Sequence, residues 1–109
     1  MMNQFPRRHL LAGAALAAAP AVAQTRWPIR PVRLIVPFGA GGPTDICARV
    51  LADRLRIVWG QPVVVENRGG AGGNIGSELV AKAAPDGHSM LVAALSLVTA
   101  PFLVTNLSF

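Results

Sequence analysis

The sequence predicts an α/β unit with the element order β-α-β-α-β and a three-stranded parallel sheet. Three observations carry this. Short apolar runs at residues 32–36, 62–67 and 88–95 have strand character. Two stretches of helical character separate them. Each of the first two runs ends in a glycine-rich loop that opens into a helix. Helical crossovers between consecutive strands make the strands parallel and the connections right-handed. The near-continuous apolar character of the runs agrees, because a parallel sheet is covered on both faces.

Ahead of the first strand, residues 1–23 follow a secretory plan. Arg7-Arg8 leads an alanine-rich apolar stretch, and Ala21-Val22-Ala23 forms an A-x-A cleavage site, leaving Gln24 as the mature start. The apolar stretch is too short to remain in a bilayer. Arg7-Arg8 before His9-Leu10-Leu11 resembles a twin-arginine signal, although Pro6 stands where Ser or Thr is usual; Sec export fits as well.

The first strand, Val32-Arg33-Leu34-Ile35-Val36, follows a proline-punctuated entry and ends at Pro37-Phe38. The loop at 39–45 carries Pro43 in the first helical turn and Asp45 at the positive helix end. The helix runs to about Trp59, with Ile46, Cys47, Val50, Leu51, Leu55 and Val58 on one expected core face; Cys47 reads as a small buried residue. Gly60 and Pro62 stop it. The second strand leads into the loop at 68–74. A second helix follows, with Ile75, Leu79, Val80 and Ala83 on its inward face, and Pro85-Asp86-Gly87 ends it. The third strand begins at His88, which is expected at the surface, and the remainder reads as apolar and irregular.

Loops that follow parallel strands lie at the same, carboxyl edge of the sheet, so both helix N-termini point toward one crevice. Each offers free N–H groups and partial positive charge, and glycine lets a ligand approach the backbone closely. Two such termini suit a carboxylate or a phosphate. Sharper nucleotide motifs fail. No GK[ST] follows either loop, and G-x-G-x-x-G meets Thr44 or Ile75 where its third glycine should be. A Rossmann-like, nucleotide-binding enzyme fragment remains the alternative through Glu66, which ends the second strand where a ribose-binding acid would sit; its other reading is a solvated strand-end charge. Asp45 reads as a dipole-compensating carboxylate that orders its loop. Thr44 and Asn74 stand at helix starts, where capping and ligand binding are compatible. Arg68 suits either a bound anion or a structural pairing.

Composition excludes other classes. A 109-residue chain permits one domain at most, and one this small buries only about 60% of its unfolded surface. The net charge is +5; removing Arg7 and Arg8 leaves eight basic against five acidic residues, or +3. The basic residues are dispersed and tyrosine is absent, which argues against nucleic acid as a partner. A single cysteine permits no internal disulfide and no cysteine-built metal site. No catalytic constellation, metal site or cofactor motif is present, so the reading is of a binding protein and not of an enzyme.

Three segments carry a family resemblance. Residues 33–45, Trp59-Gly60-Gln61-Pro62-Val63-Val64-Val65-Glu66-Asn67-Arg68 with the glycines up to Gly76, and Ala81-Lys82-Ala83-Ala84-Pro85-Asp86-Gly87 occur in the order and spacing of the periplasmic solute-binding proteins of tripartite tricarboxylate transporters. The chain resembles that family over essentially its whole mature length. The resemblance implies a type II periplasmic-binding-protein fold, in which two α/β lobes close on a small organic carboxylate and deliver it to integral membrane transporter subunits. It maps the carboxylate grip to Phe38, Gly39, Ala40, Gly41, Gly42, Thr44 and Asp45, and to Arg68, Gly70, Ala71, Gly72, Gly73 and Asn74. Ser96 and Thr99 lie where the family adds side-chain contacts. Gly70 replaces a proline common in this loop, which should loosen it. Family members are several-fold longer. On that comparison residues 24–109 form a partial lobe, the N-terminal part of lobe one with the rest of lobe one and lobe two absent. Such a truncated product is expected to bind carboxylates weakly or not at all by itself.

Overall fold

A computed structural model describes residues 25–109. The expected export segment, residues 1–23, and its expected cleavage site lie outside the described residues. The elements are β1 (Val32–Val36), α1 (Pro43–Trp59), β2 (Val63–Asn67), a 3-10 turn (Ala71–Gly73), α2 (Asn74–Ala81), β3 (Ser89–Leu91) and α3 (Leu95–Leu103). The expected β-α-β-α-β order and three-stranded parallel sheet are found, with strand order β2-β1-β3. Val32 to Val36 pair in register with Val63 to Asn67, and Arg33, Leu34 and Ile35 with Ser89, Met90 and Leu91. β1 is the central strand, and Val32, Leu34, Ile35 and Val36 are the largest fully buried side chains. The first crossover moves outward from β1 and the second moves back across it. Right-handed connections therefore place α1 and α2 on opposite faces of the sheet.

The α1 boundaries agree with the sequence reading, α2 ends at Ala81 and not at Pro85, and the buried faces differ from those expected. Asp45, Ala48 and Ala52 are buried in α1, and Leu55 and Trp59 continue the same stripe at three- and four-residue spacing. Ile46, Cys47, Val50, Leu51 and Val58 of the expected core face are exposed, so Cys47 is not the buried residue expected, and Ile57 is exposed as well. Two features set this rotation. Alanines let the helix lie close to the sheet, and Asp45 is pinned inward by hydrogen bonds from Gly41, Arg49 and Asn67. In α2 the buried positions are Gly76 and Ser77, whereas Ile75 and Leu79 are exposed. Gly76 sits where an added Cβ would stand 2.8 Å from Arg68 O and 2.9 Å from Pro37 Cα. Only a glycine permits that approach.

Three further expectations are corrected. The third strand spans three residues and not eight, because β1 turns away at Pro37 and offers no further ladder; Val92 N–H to Ile35 O is the last bond. The stretch read as irregular contains α3, a helix hidden by its internal Pro101 and by the lack of a polar stripe. His88 is buried, at 3% exposure, and not at the surface. The entry segment covers it: Ile29 N–H donates to His88 Nε2 at 3.3 Å, and the Trp27 ring lies 5.7 Å from the imidazole. Among the described residues no helix is long and apolar enough to cross a membrane, and no group of His, Cys, Asp and Glu could hold a metal ion.

Candidate functional site

The first loop leaves β1 through Pro37-Phe38 and enters α1 at Pro43. Gly41 has φ +87°, a conformation that favours glycine, and Gly42 is the extended N-cap of α1. Asp45 organises this loop. Its Oδ2 accepts from Gly41 N–H at 2.9 Å and Arg49 Nε at 3.0 Å, and its Oδ1 accepts from Asn67 Nδ2 at 2.9 Å. The Arg49 hydrogen bond, then those of Gly41 and Asn67, hold its carboxyl down at about 2. Asp45 is therefore an ionised, buried loop-ordering group with both oxygens engaged, the structural role read from its position. Neither Thr44 nor Asn74 caps its helix: the N-caps are Gly42 and Gly73, without side-chain cap bonds.

The second loop starts beside the first. Arg68 N–H donates to Val36 O at 2.8 Å, and Gly69 then backs onto loop one, where an added Cβ would lie 3.5 Å from Gly39 N and Phe38 C. Gly70, Ala71, Gly72 and Gly73 all have positive φ, which coils the chain tightly into α2. Gly73 meets three segments at once: an added Cβ would be 3.5 Å from the Phe38 ring, Pro37 Cβ and Ser96 Oγ. Ser77 Oγ donates to Gly73 O at 2.9 Å and anchors the turn from below.

The structure thus brings loop one and loop two together through Gly39, Phe38, Gly69 and Gly73, and it brings Ser96 to the same place. Ala71, Gly72, Asn74, Ser96 and Thr99 line one cavity of about 210 Å³, closed by Ala100, Leu103 and Val104 of α3 and its end. Gly39, Ala40 and Gly70 are exposed at the loop surfaces. Arg68 stands apart: its guanidinium turns toward Glu66 at 3.6 Å, and its side chain is 58% exposed. Residues missed from the sequence are Asn67 and Arg49, which hold Asp45, and the α3 wall. Asn67 carried a signal, a lone amide at the carboxyl end of an apolar strand. A larger groove of about 490 Å³ runs along α2 between Arg33, Ile75, Glu78, Leu79, Lys82 and Ala83. It shares no residue with the loops, and its cations are already paired, Arg33 with Glu66 and Lys82 with Glu78.

Glu66 does not wait for a ribose, nor is it a solvated charge. Arg33 donates to both its oxygens, Nε at 2.7 Å and Nη2 at 2.8 Å, and these bonds hold its carboxyl below the usual range. The feature that kept a nucleotide reading open is a structural ion pair.

The sequence pattern of the family described as "Tripartite tricarboxylate transporter family receptor" matches residues 47–109, more than half of the chain. The chain belongs to this receptor family. Among curated relatives it is 54% identical over 87 residues to Protein BugT of Bordetella pertussis, covering 80% of this chain and 26% of that one. It is 43% identical over 111 aligned residues to a Bordetella bronchiseptica protein, covering 100% and 33%. The chain therefore spans about a quarter to a third of the length of these relatives. Solved structures agree. A periplasmic transporter superposes with TM-score 0.71 at 44% identity, covering 76% of this chain and 28% of that one. MatC from Rhodopseudomonas palustris with bound malate gives 0.67 at 38%, covering 76% and 29%. A second R. palustris protein, with adipate, gives 0.58 at 48%, covering 60% and 22%. The three-stranded unit of this receptor-family chain is accordingly part of a periplasmic-binding-protein lobe.

Proposed function

We propose that residues 24–109 form the N-terminal part of lobe one of an extracytoplasmic solute-binding receptor, and that the two glycine-rich loops grip a small organic carboxylate. The observation that carries this reading is the meeting of both loops and Ser96 around Gly69 and Gly73 at the carboxyl edge of the sheet. Helix N-termini and glycine amides favour an anion at such an edge. The cavity between loop two and α3 has no charged side chain on its walls; Asn74, Ser96 and Thr99 supply its polar groups. A carboxylate there is held by neutral donors, through charge-assisted hydrogen bonds that are about twice as strong as neutral ones. Receptor-family membership and the malate- and adipate-bound neighbours support carboxylate as the ligand class.

On this reading the protein captures a solute and is not an enzyme. It is exported to the periplasm by a Sec or twin-arginine signal in residues 1–23, cleaved after Ala23, and it hands its ligand to integral membrane transporter subunits. Thermal unfolding in the presence of malate, adipate, ATP or NAD tests the ligand class. Carboxylate at about tenfold over its Kd stabilises by about 1.4 kcal/mol, and the nucleotides leave the transition unmoved. Stabilisation by a nucleotide and by no carboxylate would overturn the proposal.

A further inference from the structure

We propose that Asn67, at the end of β2, is the positioning residue that sets loop one against loop two. Its register partner is Val36, so it stands at the root of both loops. Its Nδ2 donates to Phe38 O at 3.2 Å and to Asp45 Oδ1 at 2.9 Å, and its Oδ1 accepts from Arg49 Nη2 at 3.3 Å. Two acceptors on one side and a guanidinium donor on the other fix the orientation of the amide. A side chain offering two N–H donors and one carbonyl acceptor from a single short stem meets all three demands, and among the short side chains that is asparagine. An aspartate here would set a carboxylate against the Phe38 carbonyl and the Asp45 carboxylate.

The consequence lies in loop one. Asn67 holds its start at the Phe38 carbonyl. Through Asp45, whose other oxygen accepts from Gly41 N–H, it also holds the far end of the loop. Gly39 and Ala40 lie exposed between these two fixed points. Loop two leaves directly from Asn67, and Gly69 packs back onto Gly39. One amide therefore sets the spacing of the two loops. Its bond to Asp45 adds to the Arg49 ion pair that balances the carboxylate charge. This deepens the carboxylate reading and rests on it for its functional meaning, while the loop geometry is testable without a ligand.

The experiment compares the full chain with Asn67→Asp and Asp45→Asn, using amide hydrogen exchange and malate as the binding probe. In Asn67→Asp, the Gly41 amide, whose N–H donates to Asp45, should exchange at least tenfold faster relative to the β1 amides of Leu34 and Ile35. Asp45→Asn should act in the same direction and serves if the first variant does not fold. Malate affinity should fall at least tenfold in either variant. Equal acceleration of loop and strand, or no loop acceleration, overturns the positioning role. If a nucleotide and neither malate nor adipate binds the wild-type chain, the carboxylate reading fails, and the exchange pattern still decides the role of Asn67.

Discussion

Arg33 and Glu66 form a two-point ion pair across β1 and β2, with nitrogen–oxygen distances of 2.7 and 2.8 Å. Parallel register places Ile35 opposite Glu66, and Arg33 reaches it diagonally on the same face. The pair is partly exposed, so its coupling should be about 0.2–1 kcal/mol, the range of such bridges. A double-mutant cycle of Arg33→Met and Glu66→Gln on urea unfolding measures it. Coupling near zero would mean that the two-point geometry adds nothing to stability.

Acid should destabilise the fold through its paired carboxylates. Asp45 is held at about 2 by Arg49, Gly41 and Asn67, Glu66 is lowered by Arg33, and Asp86 is lowered chiefly by the His88 backbone N–H. Each native value lies below the unfolded one. The stability they contribute is therefore complete above the unfolded carboxylate values, near pH 4, and is lost as pH falls toward 2. Unfolding followed from pH 6 to pH 2 should show this decline, and Asp45→Asn should flatten it. An unchanged slope in that variant would remove Asp45 as a source.

Gly76→Ala should destabilise although it lies inside a helix. Glycine to alanine in an open helix gains about 1 kcal/mol. Here the new methyl meets Arg68 O and Pro37 backbone at 2.8–2.9 Å, so overpacking should win and cost about 1–3 kcal/mol. Denaturation midpoints for wild type and variant decide the sign.

Boundaries and connections were legible in the sequence because they rest on local chemistry. Pro43 starts α1, and Gly60 ends it with φ +66°. The buried faces were not legible, because apolar size misleads when small residues make the contact. Ala48, Ala52 and Gly76 pack against the sheet and leave Ile46, Val50 and Ile75 outside. Long-range partners were equally hidden. The sequence separates Trp27 and Ile29 from His88 by about sixty positions, and only the fold shows that they bury it. At the site the glycine loops were readable from spacing, whereas the Asn67–Asp45 contact depends on the meeting of β2 with α1.

Carboxylate binding at the two loops is tested most directly by a nitrogen-15 NMR titration of the chain with malate, mapped residue by residue. Weak affinity is no obstacle, since millimolar binding still moves amide resonances. The prediction is saturable shifts at Gly39, Ala40, Gly41, Gly42 and the amides from Gly69 to Asn74, with Ser96 following. The C-terminal half of α1 and the Arg33–Lys82 groove should stay still. Saturable shifts confined to that groove, with the two loops unmoved, would contradict the account.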